Sequence, residues 1–404
     1  MGVSFGVTSS PAGPVAPRTG VLDTPHGRVH TPVFMPVGTL ATVKSLTPGE
    51  VAVAGAEILL VNAYHLYLRP GHDLLGRLGG VHRFMAWNGP VLSDSGGFQV
   101  FSLATMRSVG EHGVRFRSHI DGSEHEYTPE LAMEVQRALG VDIAMPLDHV
   151  VAGGGAPGEA REAAERTVRW YERSRAAAGG LTVFPIVQGG TDAALRRWHA
   201  ATLRGMDAPG YAIGGLSVGE AKESMWATVE VVCEELPVER PRYLMGVGSP
   251  EDLVNGVLRG VDMFDCVLPT RLGRTGALFT DGGRLNIRNS RFREDGRPLM
   301  PGFAPLEGYS WAYLHHLFRN EELLGYRLAS LYNVRYLVAL MERLRLTIGS
   351  GTIAEFAQAF LAGYRATDES VRTEQRARWR SSGGSAAAGG GGADGERGPG
   401  DRGI

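Results

Sequence analysis

Short apolar runs that end in polar or glycine residues recur along the chain. Runs of this length, rich in Val, Ile, Leu and Phe, are typical of buried β-strands. The runs are TPVFMPVG from Thr31, EILLVNAYH from Glu57, PVLSDSGG from Pro90, DIAMPLDH from Asp142, LTVFPIVQGG from Leu181, YAIGGLSVG from Tyr211, RYLMGVGS from Arg242 and DMFDCVLPT from Asp262.

Helix-like stretches separate most of these runs. In TPELAMEVQRALG, Thr128 can cap the helix, Pro129 occupies its first position and Gly140 ends it. A second stretch reads GEAREAAERTVRWYERSRAAAGG. Eight strands alternating with helices predict an α/β protein with a (β/α)8 TIM barrel, although a doubly wound open sheet has the same alternation.

Composition bounds the class of protein. The chain has 404 residues, 43% hydrophobic and 21% charged, as expected of a soluble globular protein, and its formal charge of -2 gives no global sign of nucleic-acid binding. Two cysteines, Cys233 and Cys266, predict a reducing, cytoplasmic location. We expect no membrane partner, because the chain has neither a signal-peptide pattern nor an apolar run of membrane-spanning length.

The end of the chain differs in composition. From about Glu374 the periodicity disappears, and the sequence passes into SSGGSAAAGGGGADGERGPGDRGI. Such a tract lacks apolar anchors that could offset the entropy of ordering. We therefore predict a barrel domain over 1–373 and a disordered tail over 374–404, with a functional linker as the alternative.

Polar side chains stand at the ends of four predicted strands. They are Asp94, Asp148, Gln188 and Asp265. Each alone could be a helix cap or a turn residue. In a barrel, however, the carboxyl ends of the strands meet at one mouth, where active sites lie. Four such residues on different strands therefore predict a common pocket.

Two further patterns accompany these residues. SDSGGF, VQGG and AIGGLSVG place glycines where backbone could approach a flat ligand, or could simply turn at a barrel corner. Between Arg271 and Arg297 the arginines outnumber the acids, which suits a phosphate backbone. A solvated charged surface is the alternative. The arginines are Arg271, Arg274, Arg284, Arg288, Arg291, Arg293 and Arg297.

Long segments resemble one enzyme family. APRTGVLDTPHG, TPVFMPVGTLATVKSL, NAYHLYLRPG, LSDSGGFQVFSL, FPIVQGG, YAIGGLSVGE, RYLMGVGSPEDLVNGVLRGVDMFDCVLPTRLGRTG and AYLHHL are similar to tRNA-guanine transglycosylases, from about Pro17 to Tyr364. The resemblance implies a pentosyltransferase of queuosine biosynthesis. Such an enzyme exchanges the wobble guanine of G-U-N anticodons for a 7-deazaguanine base, with tRNA as its partner.

The resemblance assigns catalytic roles to two of the strand-end aspartates. Asp265, in FDCVLPTR, matches the nucleophile that forms a covalent ribosyl-enzyme, and Asp94, in SDSGGFQ, matches the general base. Two carboxylates suit a double displacement, because one attacks carbon while the other moves a proton.

The family's binding residues also have counterparts here. Asp148 would accept hydrogen bonds from the guanine edge, and Gln188 and the Gly215 N–H would donate to its carbonyl. Phe98 and Met245 would sandwich the base, and the Leu216 carbonyl, oriented by Glu220, would meet the substituent at position 7. The expected base-binding set is Ser95, Gly96, Gly97, Phe98, Asp148, Gln188, Gly214, Gly215, Leu216, Glu220 and Met245. The expected tRNA-binding set is Gly246, Val247, Gly248, Thr270, Arg271 and Arg274.

One family feature is missing. Similar enzymes hold a structural zinc ion with a C-x-C-x2-C run and a later histidine, whereas this chain reads PLMPGFAPLEGYSWAYLHHL and has Tyr332 at the histidine position. We predict no metal cofactor and an insertion subdomain, within 285–335, held by Phe303, Leu306, Tyr309 and Trp311. Because this region supports dimerisation in similar enzymes, the resemblance leaves a homodimer as a possibility for this chain.

The sequence is mixed on the incoming base. Val218 resembles enzymes that take 7-aminomethyl-7-deazaguanine, whereas Val150 resembles enzymes that take queuine, and His149 replaces a frequent acid. We predict the aminomethyl base, because Val218 beside Leu216 should crowd a larger substituent. Direct use of queuine, a non-catalytic partner subunit and a DNA-directed relative are the alternatives.

Overall fold

A parallel sheet surrounded by helices forms the centre of the computed structural model, which describes residues 2–9, 13–99, 107–151 and 158–365. The strands are β1 (Ser4–Val7), β2 (Gly20–Thr24), β3 (Gly27–Thr31), β4 (Val33–Gly38), β5 (Leu59–Asn62), β6 (Val91–Asp94), β7 (Arg107–Val109), β8 (Val114–Arg117), β9 (Glu124–Tyr127), β10 (Ile143–Ala144), β11 (Thr182–Val183), β12 (Ile186–Val187), β13 (Tyr211–Ile213), β14 (Arg242–Leu244), β15 (Met263–Cys266), β16 (Ala277–Thr280) and β17 (Gly283–Asn286). The helices are α1 (Pro48–Val53), α2 (Ala63–Leu68), α3 (His72–Arg77), α4 (Gly80–Met85), α5 (Pro129–Leu139), α6 (Glu159–Ala177), α7 (Ala193–Arg204), α8 (Lys222–Glu235), α9 (Pro250–Leu258), α10 (Leu268–Thr275), α11 (Ala304–Glu307), α12 (Trp311–Arg319), α13 (Leu323–Gly349) and α14 (Ile353–Gly363).

The central sheet closes into a barrel. Its strand order is β11-β10-β6-β5-β4-β15-β14-β13-β12, and its paired strands are parallel. The two ends of that order, β11 and β12, are halves of one chain segment interrupted at Phe184 and Pro185. Phe184 N–H donates to Ala144 O at 3.1 Å, and Pro185 O accepts from Ala212 N–H at 2.8 Å. When β11 and β12 are counted as one interrupted strand, the sheet has eight strands and closes on itself. This confirms the predicted (β/α)8 barrel and excludes an open sheet.

Side chains alternate along the barrel strands between the inside of the barrel and the outer helices, and those that point inward fill the barrel. In β4, Met35 joins a buried cluster with residues from the other barrel strands, while its neighbour Phe34 packs with the outer helices. Leu22 and Val29, from the antiparallel sheet β1-β2-β3, belong to the same inner cluster. That sheet therefore covers the end of the barrel where the strands begin, and the carboxyl ends of the strands form the other end.

Helix signals in the sequence are confirmed. The Thr128 side chain accepts a hydrogen bond from Leu131 N–H, Pro129 is the first residue of α5, and Gly140 ends it with a φ of 70°. A left-handed residue at this position suits glycine because it has no Cβ to clash. The second predicted helix is α6. Among the described helices, none is both long enough and apolar enough to cross a membrane.

The region expected to be an insertion packs around aromatic side chains. Trp311 is buried, stacks on Phe292 with ring centroids 5.4 Å apart and meets Tyr332 edge-on at 5.6 Å. Leu306 is fully buried, whereas Phe303 and Tyr309 are only partly buried. The apolar cluster that holds this region thus includes Phe292 and Tyr332, which the sequence-based prediction left out. The predicted tail, 374–404, lies outside the described residues.

Candidate active site

Two aspartates lie at the carboxyl ends of barrel strands. Asp94 ends β6 and Asp265 lies in β15, and each is two residues after a side chain of the inner barrel cluster, Leu92 and Met263. Because side chains alternate along a strand, both carboxylates point to the inside of the barrel at its open end. The structure therefore brings together, at one mouth, two residues that the sequence separates.

Each carboxylate has its own hydrogen-bond partners. Asp94 accepts at Oδ2 from the Asn62 side-chain amide at 2.5 Å and at Oδ1 from Ala63 N–H at 3.2 Å. Asp265 accepts at Oδ1 from the Tyr243 hydroxyl at 2.6 Å and from Gly246 N–H at 2.7 Å. Both donors to Asp265 reach the same oxygen, so Oδ2 lacks a hydrogen-bond donor among the described residues.

Burial makes both aspartates harder to ionise, and Asp265 adds to this effect at Asp94. Burial, together with the charge of Asp265, raises the pKa of Asp94 to about 8, and hydrogen bonds from Ala63 and Gly96 limit the rise. Burial also raises the pKa of Asp265, against the hydrogen bonds from Tyr243 and Gly246 that lower it. Near neutral pH a pKa of about 8 favours a protonated Asp94, which suits a general acid.

Asp148 and Gln188 form a buried polar pair beside them. The Gln188 side-chain amide donates to Asp148 Oδ2 at 2.6 Å. Burial raises the pKa of Asp148 to about 6, partly offset by this hydrogen bond. A Cβ on Gly97 would lie 2.6 Å from Asp148 Oδ1, so the glycine of SDSGGF allows the close approach. The two residues expected to bind the base are thus hydrogen-bonded to each other in this structure.

The loop after β13 presents a peptide oriented by Glu220. Its carboxylate accepts from the N–H groups of Ser217, Val218 (3.0 Å) and Gly219 (3.2 Å). With the Ser217 N–H directed to Glu220, the Leu216 carbonyl of the same peptide is directed away from it. Leu216 is buried, whereas Val218 is 43% exposed.

The remaining expected base contacts are less enclosed. Phe98 is 48% exposed and is followed by 100–106, which lie outside the described residues. Met245 is partly buried and packs against the inner barrel cluster. Ser95 is buried, and its hydroxyl accepts from Gly97 N–H at 3.2 Å.

The expected RNA contacts lie next to Asp265. Helix α10 begins two residues after Cys266 and carries buried Thr270, exposed Arg271 and half-buried Arg274. Gly246 is exposed, and Val247 and Gly248 are buried behind it. Further along, Arg291 and Arg293 are exposed, whereas Arg297 pairs with Asp295 at 2.7 Å and Arg288 donates to Phe318 O at 2.6 Å. Only part of the basic stretch is thus free to meet phosphate.

Sequence reasoning missed several residues that support this site. Asn62, Tyr243, Arg196 and His199 each bind a predicted site residue or its loop. Asn62 ends a strand run, so the rule that found Asp94 could have found it. Tyr243 lies inside a strand, and the other two lie in a helix, where no local signal separates them from core residues.

The residues of the insertion region do not fit a zinc ion. Tyr332 is packed against Trp311, and the His315 ring nitrogen Nδ1 lies 2.7 Å from Ile287 O. Cys233 and Cys266 lie in α8 and β15. Within the described ranges, one cluster has metal-ligating types, and its members are His26, His82 and Asp142.

That cluster lies where the barrel strands begin, and its atoms already pair within the protein. His26 Nδ1 is 2.8 Å from Asp142 Oδ1, Val91 N–H donates to Oδ2 at 2.8 Å, and His82 Nε2 is 3.1 Å from Gly89 O. These contacts tie the hairpin between β2 and β3 to the starts of β6 and β10.

Comparisons with known proteins agree on one family. A family model described as Queuine tRNA-ribosyltransferase matches residues 15–366. Proteins named queuine tRNA-ribosyltransferase from Symbiobacterium thermophilum and Pelotomaculum thermopropionicum are both 52% identical, over 92% and 90% of this chain and 93% and 100% of theirs. One from Moorella thermoacetica is 52% identical over 86% of this chain and 95% of its own length.

Proposed function

The chain belongs to the queuine tRNA-ribosyltransferase family and is a tRNA-guanine transglycosylase, a pentosyltransferase. From this premise we propose that it replaces the wobble guanine of G-U-N anticodons with 7-aminomethyl-7-deazaguanine through a covalent ribosyl-aspartate intermediate. The observation that carries the proposal is the pair of buried carboxylates at the barrel mouth: the pKa of Asp94 is raised to about 8, and Asp265 is held through a single oxygen.

The first displacement uses Asp265 as the nucleophile. Tyr243 and Gly246 hold Oδ1, so Oδ2 attacks C1′ of the target nucleotide. The bond from C1′ to guanine N9 breaks, and its electron pair goes to the base. Asp94, protonated because burial raises its pKa to about 8, supplies a proton to the departing guanine.

The second displacement reverses these roles. N9 of the incoming deazaguanine attacks C1′ and gives its proton to the Asp94 carboxylate. The bond from C1′ to Asp265 breaks, and its electron pair returns to the carboxylate. One proton is released and one is taken up at Asp94 over the cycle, so the enzyme ends in its starting state.

Base selection falls to Asp148, Gln188 and the Gly215 N–H. The Asp148 carboxylate accepts from the amino and ring N–H groups of a guanine-type base, and the two donors meet its carbonyl oxygen. The base must first displace the hydrogen bond between Gln188 and Asp148. Adenine would leave buried donors and acceptors unpaired, which costs about 1–3 kcal/mol for each group.

The choice of the aminomethyl base rests on the peptide between Leu216 and Ser217. Glu220 binds its N–H side, so its carbonyl is free to accept from a cationic aminomethyl group. Buried Val150 supports queuine as the second candidate, because it is the residue type that resembles queuine-using enzymes.

Arg271 and Arg274 on α10 are proposed to bind the anticodon loop, and the protein is proposed to work without a metal ion. A homodimer is part of the same proposal, by the family resemblance alone.

Incorporation of labelled 7-aminomethyl-7-deazaguanine into unmodified G-U-N tRNA tests the function. We expect label to enter tRNA with the wild-type protein, with or without chelator, and not with Asp265→Ala. Asp207→Asn, at a carboxylate whose side chain is 84% exposed, is the control and should retain activity. Absence of label from wild-type reactions would refute the proposed base, and a parallel arm with queuine would then identify the second candidate.

A further inference from the structure

A buried arginine lies behind the loops expected to hold the base. Arg196, on α7, is fully buried and donates to three backbone carbonyls: Val187 O at 2.7 Å, Gly190 O at 2.8 Å and Gly214 O at 2.9 Å. These carbonyls end β12 and β13 and belong to the loops that follow them. Within the described part of the chain, no carboxylate forms an ion pair with this guanidinium.

One of these carbonyls belongs to a base-reading peptide. Gly214 O and Gly215 N are the two ends of the same peptide group. A cation that binds the oxygen draws electron density from the nitrogen, so the N–H on the far side becomes a stronger donor. Gly215 has a φ of 65°, a conformation that suits glycine and turns this peptide relative to the strand.

We propose that Arg196 is a positioning residue for base recognition: it polarises the peptide between Gly214 and Gly215 and fixes the spacing of the loops after β12 and β13. The inference rests on the proposed function, which places the base carbonyl at the Gly215 N–H. Its ligand class is therefore a purine with a carbonyl at position 6.

The charge of Arg196 suits the reaction as well as binding. When guanine leaves, negative charge spreads from N9 to its carbonyl oxygen. A fixed cation behind the donor stabilises that charge without reorganisation, and low surrounding polarity strengthens the effect. Burial, partly offset by the Glu220 charge, lowers the pKa of Arg196 to about 9, so the guanidinium stays charged at neutral pH.

Helix α7 also binds the main chain of Gln188. His199, one turn after Arg196, accepts at Nδ1 from Gln188 N–H at 2.9 Å. Burial lowers the pKa of His199 to about 4, so its ring is neutral and can accept this bond. Helix α7 thus fixes the main chain at both base-carbonyl donors, through a cation at one and an imidazole at the other.

Arg242 provides a matched control. It is also a fully buried arginine that donates to backbone carbonyls, Pro14 O and Leu236 O, but it lies at the start of β14, at the closed end of the barrel. Loss of a buried guanidinium should destabilise the protein at either position. Only at Arg196 should this loss change the affinity for guanine and the carbonyl stretch of the bound base.

The test compares wild type, Arg196→Met, Arg196→Lys and Arg242→Lys. Guanine affinity is measured by calorimetry, the carbonyl stretch of bound guanine by isotope-edited infrared difference spectroscopy, KM for tRNA by kinetics, and Tm by calorimetric scanning. For Arg196→Met we expect guanine Kd to rise about tenfold or more. We also expect the carbonyl band to move towards its value in water and the KM for tRNA to stay within about twofold.

Arg196→Lys keeps the charge but cannot reach three carbonyls, so it should show a smaller shift in the same direction; it carries the test if Arg196→Met does not fold. Arg242→Lys should lower Tm and leave both guanine readouts unchanged. An unchanged carbonyl band in both folded Arg196 variants would overturn the inference and leave a structural clamp. Failure of wild-type protein to bind guanine would instead overturn the proposed function on which the inference depends.

Discussion

At the residue scale, the proposed chemistry depends on a difference between the surroundings of two aspartates. Asp94 is held by the Asn62 side-chain amide and by the backbone N–H groups of Ala63 and Gly96, and burial together with the charge of Asp265 raises its pKa. Asp265 is held by a hydroxyl and a backbone N–H at one oxygen. Two identical side chains thus have different hydrogen-bond partners and different electrostatic surroundings at one mouth.

Asp94→Asn should abolish base exchange and change how stability depends on pH. The folded protein binds a proton at Asp94 up to about pH 8, whereas an aspartate in the unfolded chain releases it near its ordinary pKa of 3.8. Stability from this group is therefore present at low pH and is lost as pH rises towards 8. The variant should show at least about a 100-fold lower exchange rate.

Thermal unfolding of both proteins between pH 5 and pH 8 checks the linkage. Relative to wild type, the Tm of Asp94→Asn should increase with pH. A constant difference in Tm across that range would contradict the raised pKa.

Tyr243→Phe should move the acid limb of the pH–rate profile. Its hydroxyl lowers the pKa of Asp265 by hydrogen bonding, so removing it should raise that pKa and shift the limb to higher pH. We expect kcat to fall about tenfold. Tyr211→Phe is the control, because Tyr211 is also buried but its hydroxyl binds Ala208 N–H at 3.2 Å, away from the mouth. Equal effects on the profile in both variants would argue against a role for Tyr243.

At the scale of elements, α10 links Asp265, the proposed nucleophile, to the two arginines proposed to bind RNA. It starts at Leu268, directly after the strand with Asp265, and packs along α13. The helices approach at Gly273, where an added Cβ would lie 2.8 Å from the Ser330 backbone. Glycine at this position therefore sets the distance between α10 and α13.

Gly273→Ala should separate these helices. Overpacking against backbone costs about 1–3 kcal/mol of unfolding free energy, and displacing α10 should raise KM for tRNA more than KM for the base. Denaturant unfolding and steady-state kinetics measure the two effects. Gly349→Ala, at a helix end with open space around the added carbon, should be close to neutral in both. No change in stability for Gly273→Ala would show that the helices can move apart freely.

Sequence patterns predicted the barrel strands and the ends of α5, because these depend on local alternation and capping. They did not predict the interruption of one strand at Phe184 and Pro185, nor the small sheets β1-β2-β3 and β7-β8-β9. Those features depend on pairing with distant chain segments. In the candidate site, strand-end aspartates were predicted, but Tyr243 and Arg196 were not, because their partners are fixed only by closure of the barrel.

At the scale of the whole molecule, an aromatic cluster occupies the region in which similar enzymes hold zinc. Phe292, Trp311 and Tyr332 bring the segment before α11, the start of α12 and the middle of α13 together. Burial of large rings can provide the cohesion that a metal supplies elsewhere. The expected consequence is a fold whose stability is independent of metal ions.

Trp311→Ala in the presence and absence of chelator tests that consequence. Chelator should leave wild-type Tm and exchange activity unchanged, because no ligand set for zinc exists among the described residues of this region. Removing the indole should lower the free energy of unfolding by about 3–5 kcal/mol, since it empties the centre of the cluster. Leu323→Ala, at a side chain that is 79% exposed, should cost little. A wild-type Tm that falls with chelator and recovers with zinc would show that a metal, and not this cluster, holds the subdomain.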